Sequence, residues 1–196
     1  MITFESLTPM LLEEGLLDLS APGWLYETKF DGYRLLVEID GQVRLRTRHG
    51  IDATKWFPEI VAGLSWLRGK HYILDGEVCV LDAEGKGDFG RLQGRAEQRR
   101  LDAGADPVVY CAFDLLVDRN VDITRQTLVK RKTALAALLR KSHSSVLYVG
   151  HRTPAQVRRG FDNAITSLKL EGLVAKRKAS IYQQGIRSSD WIKMGC

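Results

Sequence analysis

Cysteine is scarce. There are three, Cys79, Cys111 and Cys196, odd in number, far apart and without a C-x-x-C pair. That argues against a disulfide framework and a zinc site, and favours a reducing compartment. The four histidines (His49, His71, His143, His151) are scattered and form no metal-ligand spacing. No apolar run approaches the roughly 18 residues of a membrane span. The first residues, MITFESLTPM, lack the basic start and apolar stretch of a signal peptide. The expected location is therefore the cytoplasm, away from membranes. No G-x-x-x-x-G-K-[ST] or G-x-G-x-x-G occurs, so neither common phosphate-binding loop is available. Repeats, low-complexity stretches and Pro/Gly-rich linkers are also missing, which makes one domain over residues 1–196 the simplest expectation.

What is present is globular. Apolar residues make up 44% of 196, enough for a sizeable core. The formal charge is +5, a mild excess that permits an anionic partner without naming one. Basic clusters recur at Arg99–Arg100, Lys130–Arg131–Lys132, Arg158–Arg159 and Lys176–Arg177–Lys178. Each by itself reads as a solvated face.

Residues 24–30 read as a strand. After Asp31–Gly32, residues 33–40 alternate, with Leu35, Val37 and Ile39 on one face and mostly charged residues on the other. Asp40–Gly41 is a hairpin turn, and 43–48 returns with Val43, Leu45 and Thr47 opposite three arginines. This predicts a half-buried antiparallel ribbon. Thr54 is placed to cap a helix over about 55–67, striped by Trp56, Ile60, Leu64 and Leu67. Further strands are expected at 71–82, 108–117, 145–150, 172–178 and 189–194. Helices are expected near 91–95, after Thr127, and from Thr153–Pro154 to about 168. Strands and helices mix without a regular βαβ beat, so the fold class is α+β with largely antiparallel sheets.

Several short runs could carry chemistry. K-x-D-G-x-R at 29–34 is either an ordinary D-G turn with solvated basic ends or the setting of a reactive lysine. Asp75 and Glu77 share one face of an apolar strand, where they need either a ligand's hydroxyls, a metal or an internal arginine such as Arg34. Phe113 lies in the most apolar strand and has the core as its ordinary fate. Glu171 stands at a helix-to-strand junction, and Lys176 and Lys193 lie in the last two strands. Taken together, Lys29, Lys176 and Lys193 with Arg34 and Arg48 supply cations for a triphosphate. Glu77 suits a ribose hydroxyl, Phe113 a base face, and Glu171 a hard cation such as Mg²⁺.

In that order, KFDGYR, TRHG (47–50), LDGEV, YCAFDLL, EGLVAK and WIK resemble the successive nucleotidyltransferase motifs of the ATP-dependent DNA ligases. The likeness is closest to the ligase domain of bacterial ligase D. It runs from about Leu7–Pro9 to the C-terminus and includes connecting text such as FGRLQGR and GIRSSDWIK. It implies an ATP-grasp-like nucleotidyltransferase fold of two largely antiparallel sheets flanked by helices. It also implies a single adenylation domain, the OB-fold of the family's ligases being absent from residues 1–196.

The resemblance also implies roles. Lys29 would be the adenylated lysine and Glu27 the acceptor for the adenine amine. Arg34 and Arg48 would meet the ribose and phosphate side, Glu77 the ribose, and Phe113 the adenine face. Glu171 would bind Mg²⁺ (or Mn²⁺), Lys176 and Lys193 the phosphates, and Asp31 would support the turn. The implied partners are ATP and nicked or broken double-stranded DNA, in DNA repair and recombination, with a separate DNA-binding or repair partner left open. One departure stands out: the family's closing K-x-K reads Lys193-Met194-Gly195. Two other readings fit the lysine motif: an RNA ligase or GTP-using capping enzyme, and a degenerate domain that binds nucleotide or DNA ends with little catalysis.

Overall fold

In the computed structural model the described residues are 2–141, 143–160 and 172–194. They form ten strands: β1 (Leu11–Glu14), β2 (Trp24–Thr28), β3 (Tyr33–Asp40), β4 (Gln42–Thr47), β5 (Tyr72–Cys79), β6 (Val109–Asp118), β7 (Val121–Asp122), β8 (Val146–Tyr148), β9 (Leu173–Arg177) and β10 (Arg187–Met194). Four α-helices accompany them, α1 (Pro58–Leu64), α2 (Phe89–Glu97), α3 (Leu128–Leu138) and α4 (Pro154–Gly160), and a 3-10 turn, Ser65–Leu67, continues α1. Two sheets result. One runs β1-β10-β9-β2; the other runs β4-β3-β5-β6-β7, with β8 alongside β6.

The expected α+β architecture with largely antiparallel sheets is what forms, with two parallel pairs, β1–β10 and β6–β8. The β3–β4 hairpin closes at Gly41, whose φ of +67° suits glycine. Leu35, Val37 and Ile39 enter one core, together with Val43 and Leu45 of β4 and α1's Ile60 and Leu64. β4 is half buried as expected, but β3 is buried on both faces. Leu36, Ile73, Cys79, Cys111 and Leu116 project from the opposite face of the six-stranded sheet into a second core, shared with Met10, Tyr182 and Trp191. That face is covered by the four-stranded sheet and the segments leading to it, so strands 3, 5 and 6 are apolar on both sides. A third cluster, Trp24, Tyr26, Leu173, Ala175 and Val157, sits where α4 packs on β2 and β9.

Three local expectations change. Thr54 does not cap a helix: its Oγ1 accepts from Leu45 N at 3.0 Å, and α1 begins later, after Phe57, with Pro58 in its first turn. Residues 11–14, where no strand is expected from the sequence, form β1, which pairs in parallel with β10. The basic triplets are not solvated faces throughout, because Arg131, Lys132 and Lys176 are buried. The proposed helix from Thr153 begins as expected: Thr153 and Gln156 exchange side-chain-to-backbone hydrogen bonds, at 2.8 and 3.3 Å, in a capping box. Its continuation past residue 160 lies outside the described residues.

Gly76 has a structural cause. A Cβ there would sit 2.6 Å from Cys111 O and 2.7 Å from the Tyr110 ring, whose hydroxyl donates across the sheet to Leu35 O at 3.1 Å. The β5–β6 register shifts beside it, between Asp75 and Gly76.

Candidate active site

The run KFDGYR is the passage from one sheet to the other. β2 ends at Thr28 in the four-stranded sheet, and β3 starts at Tyr33 in the six-stranded one. Lys29 leaves β2 with its backbone N–H still bonded to Gly172 O at 3.1 Å. The turn then dives against β5. A Cβ on Gly32 would lie 2.2 Å from Val78 O and 2.8 Å from Cys79 Sγ, so only glycine lets the backbone pass. Lys29 is thus held at the seam between the sheets.

The seam is a cavity of about 190 Å³. Glu27, Lys29, Asp31, Arg34, Glu77, Phe113 and Lys176, all expected as site residues, line it, together with Trp191. Arg48 and Lys193 stand at an adjoining recess with Arg34, Glu14 and Arg187. Arg34, Arg48 and Glu77 also border a wider recess walled by Tyr33, Trp56 and Phe89. Glu171, the expected metal ligand, and Gly195 lie outside the described residues. Among the described residues no group of three His, Cys, Asp or Glu side chains is arranged to hold a metal. No described helix is long and apolar enough to cross a membrane.

Asp75 and Glu77 share a face, as the alternation of β5 requires, yet they have different surroundings. Asp75 takes Arg34 in a two-pronged pair, Nε–Oδ1 2.5 Å and Nη2–Oδ2 2.6 Å, and also accepts from Tyr182 Oη at 2.6 Å. Arg34 Nη2 further donates to Met10 O at 3.1 Å. The internal arginine is therefore the partner of Asp75, and Glu77 is left facing the cavity. Burial pushes the Glu77 carboxyl up to about 7, against the opposing pull of Arg34.

That shift has a sign. From its ordinary value near 4.5 up to about 7, the folded protein keeps a proton that the unfolded chain has released. Stability from Glu77 is therefore fully present below 4.5 and declines as pH rises through this window. Glu77→Gln should flatten that decline. Thermal unfolding of both proteins between pH 5 and 8 would test it, and parallel profiles would refute the assignment.

On the other side of the cavity Glu27 is buried between two lysines. Lys132 Nζ is 2.6 Å from Oε1 and Lys176 Nζ is 2.7 Å from Oε2. Among the described residues, Glu27 Oε1 nevertheless has no well-aligned hydrogen-bond donor. Lys176 also lies over the rings of Phe113 and Trp191, 4.1 and 4.2 Å from their centroids. Burial lowers its pKa, with Glu27 opposing. Arg34 Cζ lies 4.7 Å from the Phe113 centroid. Phe113 is therefore no ordinary core aromatic; its ring receives cations and walls the cavity.

Lys132, Trp191, Tyr182 and Arg187 were not among the expected site residues. A signal existed for Lys132. In α3 the positions Leu128, Arg131, Lys132 and Leu135 have helical i, i+3, i+4, i+7 spacing, so two cations ride on the apolar stripe. A cation on such a stripe needs a buried anion, and the apolar strands offer Glu27 and Asp114.

Comparison with known proteins agrees with this geometry. A family model described as the ATP dependent DNA ligase domain matches residues 8–194. The chain is 39% identical over 174 residues to the multifunctional non-homologous end joining protein LigD of Pseudomonas aeruginosa, covering 88% of this chain and 20% of that protein. It is 33% identical over 188 residues to the SPbeta prophage-derived DNA ligase-like protein LigB of Bacillus subtilis, covering 95% of this chain and 66% of that one. Among solved structures it superimposes on a mycobacterial DNA ligase D complexed with ATP and MES. There the TM-score is 0.84 and the identity 34%, over 99% of this chain and 62% of that one. It spans about a fifth of the LigD protein. The chain belongs to the ATP-dependent DNA ligase domain family.

Proposed function

We propose that this chain is the adenylation module of an ATP-dependent DNA ligase and that Lys29 is its nucleophile. The observation that carries the reading is the convergence of Glu27, Lys29, Glu77, Phe113 and Lys176 on one cavity. They come from separate parts of the chain, and together they match what an adenosine phosphate presents: an amine, a π face, ribose hydroxyls and anionic oxygens.

The Glu27 carboxylate, buried in the cavity wall, suits the adenine amine. Phe113 suits the base face. Glu77, ionised above about pH 7, suits the ribose hydroxyls. Lys176, Lys193, Arg34 and Arg48 supply positive charge for phosphate, and Asp31 shapes the turn that presents Lys29. The Lys29 amine attacks the α-phosphorus. A P–N bond forms, the bond to the bridging oxygen breaks, pyrophosphate departs, and one N–H proton passes to water. The AMP then moves to the 5′-phosphate of a DNA break, and the 3′-hydroxyl displaces it to close the strand.

A divalent cation accompanies triphosphates, keeps several waters and needs only one or two protein carboxylates. Asp31 and Glu77 line the cavity, and their carboxylates suit Mg²⁺ arriving with ATP rather than a resident ion; Glu171, the expected ligand, lies outside the described residues. Such an ion would screen the phosphate charge.

The test is direct. The protein is incubated with ATP labelled at the α-phosphate and Mg²⁺, then separated on a denaturing gel. Label retained on the protein is the expected result. Label from GTP but not ATP would favour a capping-type enzyme. No label from either, with DNA binding intact, would favour a non-catalytic binding domain.

A further inference from the structure

Glu27 has two lysine partners, and they are held differently. Lys132, on α3, has Nζ 2.6 Å from Val149 O and 3.3 Å from Phe113 O as well as 2.6 Å from Glu27 Oε1. Two backbone carbonyls take hydrogen bonds from it, and the Glu27 carboxylate pairs with it by charge. Lys176, on β9, bonds Glu27 Oε2, and its other neighbours include the faces of Phe113 and Trp191. Ring faces hold an ammonium more weakly than carbonyls in fixed positions do. Lys176 also covers the Phe113 face that a base would need.

We propose that Lys132 is a positioning residue for base recognition: it is the permanent partner that holds Glu27 in place, while Lys176 is an exchangeable partner that a nucleotide displaces toward its phosphates. The proposal deepens the reading of Glu27 as the adenine acceptor and rests on it. Entry of a nucleotide then exchanges one contact for another. The base takes the Phe113 face, Lys176 turns to the phosphate, and Glu27 keeps one cation, so no buried carboxylate is stranded. Without Lys132, Glu27 would have to keep Lys176. The same lysine would then be claimed by both the base end and the phosphate end of the ligand.

Two ligands separate recognition of the base from mere stability: ATP, and purine riboside triphosphate, which lacks the 6-amino group. Their dissociation constants are measured by calorimetry in EDTA, so that no transfer occurs. For the parent protein ATP should bind at least about tenfold more tightly than the analogue, the value of one hydrogen bond to a charged acceptor. In Lys132→Met that ratio should fall to about twofold or less, and in Lys132→Arg most of it should survive. In the adenylation assay Lys132→Met should raise KM for ATP more than it lowers kcat. Lys132→Gln, which keeps a donor for the two carbonyls, gives the same reading if the Met variant does not fold.

A preserved ATP-to-analogue ratio in Lys132→Met or Lys132→Gln overturns the proposal, even if the variant is less stable. Glu27→Gln distinguishes this failure from that of the underlying reading. If Glu27→Gln leaves the ratio unchanged, Glu27 does not read the amine and both fall. If Glu27→Gln collapses the ratio while the Lys132 variants keep it, only the role of Lys132 is lost.

Discussion

Lys29→Ala is expected to abolish retention of labelled AMP on the protein, with a loss of at least about a thousandfold in adenylation rate. The expectation is this large because the covalent bond needs an amine at one place. Lys176 is buried against Glu27 and two rings, and Lys193 stands at the outer recess beside Glu14, 3.2 Å away. Neither can replace an amine at the end of β2. Binding of ATP should persist within a few-fold, since the groups suited to the base and ribose are untouched. Quantifying label on a denaturing gel, with ATP binding measured in parallel, separates the two effects. Residual label above a few per cent would reassign the nucleophile, and a parallel loss of binding would make Lys29 a phosphate contact instead.

Asp114→Ala should produce the largest loss of stability, about 3–5 kcal/mol. Asp114 and Arg131 are both fully buried, paired at 2.8 and 3.0 Å. Arg131 also donates to Gln126 O at 2.7 Å and Ser180 O at 3.0 Å, tying α3 to β6 and to the loop before β10. Removing the carboxylate strands a guanidinium in the core. In a chain of this size that corresponds to a fall in Tm of roughly 6–20 °C. Urea unfolding would measure it. The double variant Asp114→Leu/Arg131→Met should recover much of the loss, because an apolar pair of similar volume needs no desolvation. A loss below about 1 kcal/mol in Asp114→Ala would mean that water reaches Arg131 and that the pair is not the tie described.

Much of this molecule can be read from its letters where the cause is local. The alternation at 33–48 sets the β3–β4 hairpin and its register, and Pro154 with Thr153 starts α4. The site was legible in part for a different reason. Glu27, Asp75 and Glu77 are charged residues within apolar strands, and Lys29 follows directly on one; buried charged positions of that kind demand partners. Which partner each finds is not local. The same alternation places Asp75 and Glu77 on one face, but only the approach of Arg34, Tyr182 and Met10 assigns the arginine to Asp75. β1 was missed because LLEE has no alternation and its partner comes from the far end of the described chain. Thr54 misled because its hydroxyl answers Leu45 across the hairpin instead of a helix N–H. The basic triplet at 130–132 misled because residue type suggested solvent, while helical phase, set by Leu128 and Leu135, turned two of its cations inward.

The pairing of β1 and β2 with β9 and β10 has a consequence for the order of assembly. The six-stranded sheet draws its strands from the middle of the chain, residues 33 to 148, and its pairings span less sequence than those joining β1 and β2 to β10 and β9. The four-stranded sheet joins the first strands to the last, so its loop-closure cost is met only after the intervening chain exists. During synthesis, the wall carrying Glu77 and Phe113 can stand before Lys176, Trp191 and Lys193 have left the ribosome. Lys29 is made early but gains its cationic neighbours Lys176 and Lys193 late, so the cavity around it closes only as the described fold is completed.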